Sequence, residues 1–273
     1  MRRVRLSIFL VLVLAACGGQ DTDADKRTAA IMSRAAQAFG AVAERVVALE
    51  KRDFANEGEF DIDLSSSPII VLSWAPLVKQ AERGDRPILQ PTFDNRLVPM
   101  DEREDYLPIL YQERTDGEPL TLGFDLQALP DRKAVIQKAR DSHVPIALQP
   151  PKRAFRATAM PVYSILWPVY RDGTYIGVVS GLAPADKMLD FLMKGTPPFK
   201  GSIAFFSHHG EDPAKDVPVM IWRDGKFIAA SEPLGPPPAG VTRIQRQFTL
   251  NGLEWLLLFD YGEIPSGSPP SRP

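Results

Sequence analysis

Apolar positions recur along this chain with two different periods, and the change of period marks its organisation. From Lys26 to about Phe54 the chain is rich in Ala, Glu and Arg and contains no proline. Ile31, Ala35, Ala38, Val42, Val46 and Leu49 fall at spacings of three and four, which places them on one helix face. At 1.5 Å per residue such a helix runs about 40 Å. Its alanines permit two uses: packing along its own domain, or a stalk, over residues 26–56, that pairs with a second copy through 26–54.

After Asn56-Glu57-Gly58 the period shortens to that of strands. Ile69-Ile70-Val71-Leu72 with Trp74 is apolar and β-branched, with a short helix through Ala75 to Arg83 as an alternative continuation. Pro87, Pro91, Pro99 and Pro108 punctuate an irregular stretch, and Leu107 to Arg114 reads as a strand. Pro130-Asp131-Arg132 opens a helix that Ala134, Val135, Lys138 and Ala139 continue. Val144 to Leu148 is a strand. Met160 to Tyr170 and Tyr175 to Leu182 form a hairpin turning at Asp172-Gly173. Pro184 to Met193 is helical and is broken by Gly195-Thr196-Pro197-Pro198. Gly201 to Ser207, Val219 to Arg223 and Lys226 to Ala230 follow as strands, the last two turning at Asp224-Gly225. Phe248 to Leu250 and Trp255 to Phe259 close a second sheet across Asn251-Gly252, the strongest short hairpin signal in the chain. Strands mixed with segregated helices define an α+β protein with two successive sheets. The Pro/Ser/Gly-rich stretch from Glu263 to Pro273 is expected to be disordered.

The N-terminus adds a compartment. Arg2, Arg3 and Arg5 precede an apolar run, Leu6 to Leu14, about half the length needed to span a bilayer as a helix. Ala15-Ala16 then lead to Cys17, the sole cysteine of the 273-residue chain. This is the pattern of a bacterial lipoprotein signal: residues 1–16 are removed, Cys17 is acylated, and residues 17–25 form a tether. Two or three acyl chains, at about 0.8 kcal/mol per buried methylene, anchor a domain firmly. Gly18 after the cysteine favours outer-membrane over inner-membrane sorting. The expected location is the envelope, lipid-anchored and facing the periplasm.

Cleavage leaves 257 residues and removes three arginines, which moves the formal charge from −2 to −5. A mildly acidic surface argues against nucleic acid as a partner. With 44% hydrophobic residues the chain can bury a core, and with its one cysteine acylated, packing alone must hold that core together.

Several pieces then fall in a familiar order. Leu72-Ser73-Trp74-Ala75-Pro76-Leu77-Val78 with Glu82-Arg83, Gly123-Phe124-Asp125-Leu126, and Pro130-x-Arg132 with Ala134 and Ala139-Arg140-Asp141 come first. They are followed by Pro145 to Gln149, Pro168-Val169-Tyr170, Ile176 to Gly181, and Asn251-Gly252 with Trp255. Together, over roughly residues 55–260, these resemble the CHASE domain, an extracytoplasmic sensor module of receptor kinases and cyclases. The resemblance implies a long N-terminal helix followed by two tandem PAS-like antiparallel sheets. It implies a ligand-binding part at 57–195, a second PAS-like part at 196–262, and binding of a small molecule or peptide. It places Asp125 where an aspartate helps hold the ligand, with Ile146, Leu148 and Leu166 toward the same cavity. The residue-level alternative is that Asp125 caps the following turn. Family members usually lead through a membrane span to a cytoplasmic kinase or cyclase. Here the chain ends at Pro273, so signalling is expected in trans, to a separate sensor kinase or cyclase.

Other chemistry is sparse. No G-x-S-x-G, H-E-x-x-H or P-loop pattern occurs, and neither catalysis nor a cofactor is expected. His208-His209 with Glu211-Asp212 lie in a Gly/Pro-flanked loop, a poor metal site. His143 suits a helix end, and Asp61 and Asp63 a solvated linker. Lys152, Arg153 and Arg156 form a basic loop. Trp74, Trp167, Trp222 and Trp255 suit core packing. The chain therefore reads as a lipid-anchored sensory protein; the alternative is an envelope assembly lipoprotein that binds only proteins.

Overall fold

The structure, a computed structural model, describes residues 22–49, 64, 67–85, 87–92, 96–148, 161–196, 199–207, 216–230 and 232–262. The chain divides into two compact units. One takes residues 38–148 and 163–183, and the other takes 1–37, 149–162 and 184–273. Helix α1 spans Thr22–Leu49, with Asp23 and Asp25 in its first turn, where negative charge suits the helix dipole. Ala24, Thr28, Ile31, Met32, Ala35, Ala38, Phe39 and Val42 are buried at the spacing of a single face.

The first unit is built on a five-stranded antiparallel sheet. Its strands are β1 (Val71–Pro76), β6 (Tyr111–Arg114), β7 (Ile146–Leu148), β8 (Val162–Arg171) and β9 (Thr174–Pro184), in the order β6-β1-β9-β8-β7. Two small ribbons join it: β2 (Val78–Lys79) with β5 (Asp105–Tyr106), and β3 (Leu89–Pro91) with β4 (Leu97–Pro99). Helix α2 (Pro130–Ser142) begins with Pro at its first turn and ends at His143, which takes the left-handed conformation at φ 58°. Pro suits the start because its fixed φ is already helical and its missing N–H would be unpaired there. The His143 ring stacks on Tyr170 at 4.4 Å. Ile136 of α2 packs with Ala75, Leu107, Ile109, Leu126, Leu166 and Val178 in the core of this unit.

Two local expectations change. Instead of a helix, Ala75 to Arg83 forms the end of β1, β2 and one 3-10 turn at Gln80–Glu82. Leu77 N–H is already committed to Ile176 O at 2.8 Å, across the sheet. Only Tyr111–Arg114 of the expected 107–114 strand joins the main ladder. Pro108 has no N–H to give, and the residues around it turn instead to residues 123–126: Ile109 N–H donates to Phe124 O at 2.9 Å.

The second unit holds helix α3 (Ala185–Met193) and strands β10 (Gly201–Phe206), β11 (Met220–Arg223), β12 (Lys226–Ala229), β13 (Thr242–Leu250) and β14 (Leu253–Tyr261). Their order is β12-β11-β10-β14-β13 and all pairs are antiparallel. Strand β13 starts six residues earlier than the apolar signal at Phe248. Its first half, Thr242 to Gln247, is mostly polar because it is the sheet edge and stays partly exposed. Arg243 faces Asp260 across β13 and β14 and binds it through two nitrogens, at 2.6 and 2.8 Å. Gly201 is required where β10 meets β14: at φ 139° an added Cβ would sit 2.0 Å from Asp260 O.

Candidate functional site

Asp125 lies in an extended stretch just before the 3-10 turn Leu126–Ala128. Its backbone N–H donates to Leu89 O at 2.9 Å, so two chain segments fix its position. The side chain is fully buried, at 0% exposure. Its Oδ1 accepts from Gln127 N–H at 3.0 Å and from Leu107 N–H at 2.9 Å. Oδ1 thus caps the turn and pins the chain around Pro108. Oδ2 is equally buried and has no hydrogen-bond partner. Burial pushes the Asp125 carboxyl above the ordinary carboxylate range, against the two backbone bonds and the charge of Arg103. One oxygen does a structural job and the other is left with acceptor capacity.

The three apolar residues assigned with Asp125 lie in the same unit. Ile146 and Leu166 are paired across β7 and β8, and Leu148 stands opposite Ser164 on the same face, two residues on. Leu166 packs with Leu107 and Leu126, whose backbones flank Asp125. The carboxylate itself is bonded to Leu107 and Gln127 rather than to those strands.

The strand register brings together polar residues that the sequence reading did not single out. Leu148 pairs with Ser164, Ser180 with Ser73, and Ser73 with Gln112. Ser164 Oγ and Ser180 Oγ lie 3.3 Å apart and complete the row. The four polar side chains are buried, at 3–8% exposure, next to the apolar row Ile146, Leu166, Val178 and Ala75. Gln112 Nε2 donates to Ser73 Oγ at 2.9 Å and to Thr121 Oγ1 at 3.1 Å, and Gln112 Oε1 accepts from Thr121 N–H at 2.9 Å. Within the row one serine hydrogen is spent, between Ser164 and Ser180. The sequence signal was a lone serine inside each of three apolar strands, Leu72-Ser73-Trp74, Tyr163-Ser164-Ile165 and Val179-Ser180-Gly181. Only the register shows that they align.

Arg132, read from sequence only as part of a helix opening, has an unusual environment. Its guanidinium lies 5.9 Å over the Phe124 ring, and its buried Nε has no partner. Burial pulls its pKa below the ordinary arginine value. Phe124 packs against the unit core, and its N–H donates to Thr121 O at 3.2 Å. Arg132, Phe124, Thr121, Gln112 and Ser73 thus form a connected series.

A cavity of about 450 Å³ in the same unit is lined by Gln80, Arg83, Gly84, Asp85, Pro87 and Glu102. Tyr106 organises its wall. The phenol hydroxyl donates to Gln80 Oε1 at 2.5 Å and accepts from Arg103 N–H at 2.7 Å and Arg83 Nη1 at 3.4 Å. None of Asp125, Ile146, Leu148 and Leu166 lines it.

Trp74, Trp167, Trp222 and Trp255 are all buried, at 2–9% exposure. Among the described residues no group of three or more His, Cys, Asp or Glu side chains could hold a metal. No helix of the described residues is long and apolar enough to cross a membrane. Cys17, Asp61, Asp63, Lys152, Arg153, Arg156, His208, His209, Glu211, Asp212 and the 263–273 tail lie outside the described residues.

The CHASE domain family model matches residues 59–217. The chain belongs to the CHASE domain family, and so carries an extracytoplasmic, ligand-binding sensory domain. No curated protein matches it. Among solved structures it is similar to the ligand-binding domain of the Pseudomonas aeruginosa PAO1 amino acid chemoreceptor PctC, in complex with GABA. The identity is 14%, the overlap covers 89% of this chain and 100% of that one, and the TM-score is 0.44. It is also similar to the ligand-binding domain of the P. aeruginosa PAO1 chemoreceptor PctB with L-Gln, at 12% identity, 89% and 90% coverage and TM-score 0.45. A third similarity is to the periplasmic sensory domain of the Campylobacter jejuni chemoreceptor Tlp1, at 10% identity, 87% and 91% coverage and TM-score 0.44.

Proposed function

We propose that this chain is a lipid-anchored, periplasm-facing sensor. Its first unit binds a small molecule or peptide and signals in trans to a separate membrane kinase or cyclase. Cys17 carries the anchor, which enters one leaflet only. The PAS-like reading assigns the ligand to the sheet β6-β1-β9-β8-β7, with Asp125 as polar anchor and Ile146, Leu148 and Leu166 as apolar wall. No catalytic step and no cofactor enter this reading.

One observation carries it: Asp125 is wholly buried, yet Oδ2 has no partner. A buried acceptor left unpaired costs about 1–3 kcal/mol, a cost that a ligand donor would remove. The second reading, an assembly lipoprotein, draws on Leu110, Leu120 and Leu122, exposed by 40%, 54% and 46%. Exposed apolar clusters mark protein contacts.

The test is a metabolite thermal-shift screen on the full-length chain in detergent. A ligand at 100 times its Kd adds roughly 2.7 kcal/mol of stability. Asp125→Ala should remove that shift if Oδ2 holds the ligand. A stabiliser whose effect survives Asp125→Ala would displace Asp125 from the site, and a broad screen with no stabiliser would favour the assembly reading.

A further inference from the structure

From the buried, unpartnered Nε of Arg132 and the serine row linked to it through Phe124, Thr121 and Gln112, we infer that the ligand of the first unit is a small carboxylate with further hydrogen-bond acceptors. This rests on the sensory reading above and narrows it to a chemical class.

A guanidinium carries five N–H donors and does not shed its charge at neutral pH. Arginines away from bulk water therefore meet a carboxylate, a phosphate or several carbonyls. Among the described residues others do so: Arg243 binds Asp260, Arg246 binds Asp25 and Arg27 binds Asp23, each within 2.7 Å, whereas Arg223 Nε, like Arg132 Nε, is buried with no partner. Arg132 makes no hydrogen bond or ion pair among the described residues; Phe124 supplies only a ring face. Burial already weighs against its charge. A fold that keeps such a cation without a counter-charge gives up stability for it, and an anionic ligand restores the balance.

The serine row fixes the rest of the class. Ser73, Ser164 and Ser180 are almost fully buried, and of their three hydroxyl hydrogens only the one between Ser164 and Ser180 has an acceptor among the described residues. Two hydrogens remain for a ligand. The link through Phe124, Thr121 and Gln112 joins this row to Arg132. The unspent groups here are donors, so the complementary molecule is rich in acceptors. Asp125 Oδ2 is a buried carboxylate acceptor without a partner, and it accommodates a single N–H or O–H of the same molecule.

The experiment uses the full-length chain in detergent with a panel of hydroxycarboxylates and dicarboxylates, their neutral amides, and inorganic phosphate. A carboxylate should raise Tm while its amide does not. Arg132→Met should weaken that carboxylate roughly 30-fold or more in Kd, as loss of one partner of a desolvated charge pair does. Its ligand-free Tm should equal or exceed the wild-type value, because an uncompensated charge has been removed. Ser180→Val should weaken binding and leave Arg132 competent, and Arg132→Lys should retain part of the affinity. Arg132→Met that lowers ligand-free Tm sharply would show a structural arginine and overturn the inference. So would stabilisation by an amide or by phosphate that Arg132→Met leaves unchanged, although the sensory reading would then stand. A panel in which no compound of any class binds defeats both.

Discussion

Asp125 bonds the backbone through one oxygen and nothing through the other, so its structural role and the binding role proposed for it separate by substitution. Asp125→Ala strips the acceptor from two buried N–H groups, those of Leu107 and Gln127, and should cost about 2–3 kcal/mol in urea unfolding. Asp125→Asn keeps a carbonyl oxygen for both and should cost less. The carboxyl also sets a pH dependence. Burial, its leading influence, raises its folded pKa above the ordinary value. Between those two values the folded chain holds a proton that the unfolded chain has released, so stability falls as pH rises through that window. Asparagine does not titrate. The stability of wild type relative to Asp125→Asn in urea unfolding should therefore rise as pH is lowered through the window, with wild type relatively most stable at the acid end. A difference independent of pH, or one with the opposite slope, would mean the carboxyl is not held above its ordinary value.

At the scale of elements, hairpin turns were legible, whereas pairings between strands distant in sequence were not. Asp172-Gly173, Asp224-Gly225 and Asn251-Gly252 were legible as hairpins because both turn residues must take positive φ, and all six do: 51° and 80°, 51° and 74°, 49° and 73°. For Gly252 the requirement is read from its own backbone angle of 73°. The polar half of β13 was illegible because an edge strand needs no apolar alternation. The serine row was illegible for another reason: it exists only through the pairing of β1 with the β8–β9 hairpin, which lies about a hundred residues further along the chain. Arg132 could be placed on a helix from its neighbours, but whether a cation has a counter-charge is settled by tertiary packing. Arg243 and Asp260 show what a paired cation is worth here. They are 13% and 7% exposed as side chains, so Arg243→Met leaves a buried carboxylate alone and should cost about 3–5 kcal/mol. Replacing both, as Arg243→Met with Asp260→Leu, should recover most of that loss in the same denaturation assay. If the single change were as mild as the double, the pair would be acting as a solvated surface contact.

For the molecule as a whole, the sensory domain and the proposed lipid anchor stand on separate grounds. Family membership rests on residues 59–217, whereas the anchor rests on the leader, Ala15-Ala16 and Cys17. An acylated cysteine with two or three chains holds a protein on a membrane through many buried methylenes, each worth about 0.8 kcal/mol. High salt or carbonate, which remove electrostatic attachment, should therefore leave wild type in the membrane fraction. Detergent should release it. Cells fed labelled palmitate should mark wild type and leave Cys17→Ser unmarked, with the variant moving to the soluble periplasmic fraction or retained as an uncleaved precursor. The serine variant should keep the same ligand response in vitro, because the groups proposed to bind the ligand lie within residues 73–180 and do not include Cys17. Equal label on both proteins would remove the lipid tether while leaving the family assignment intact, and loss of the ligand response in Cys17→Ser would tie the two together.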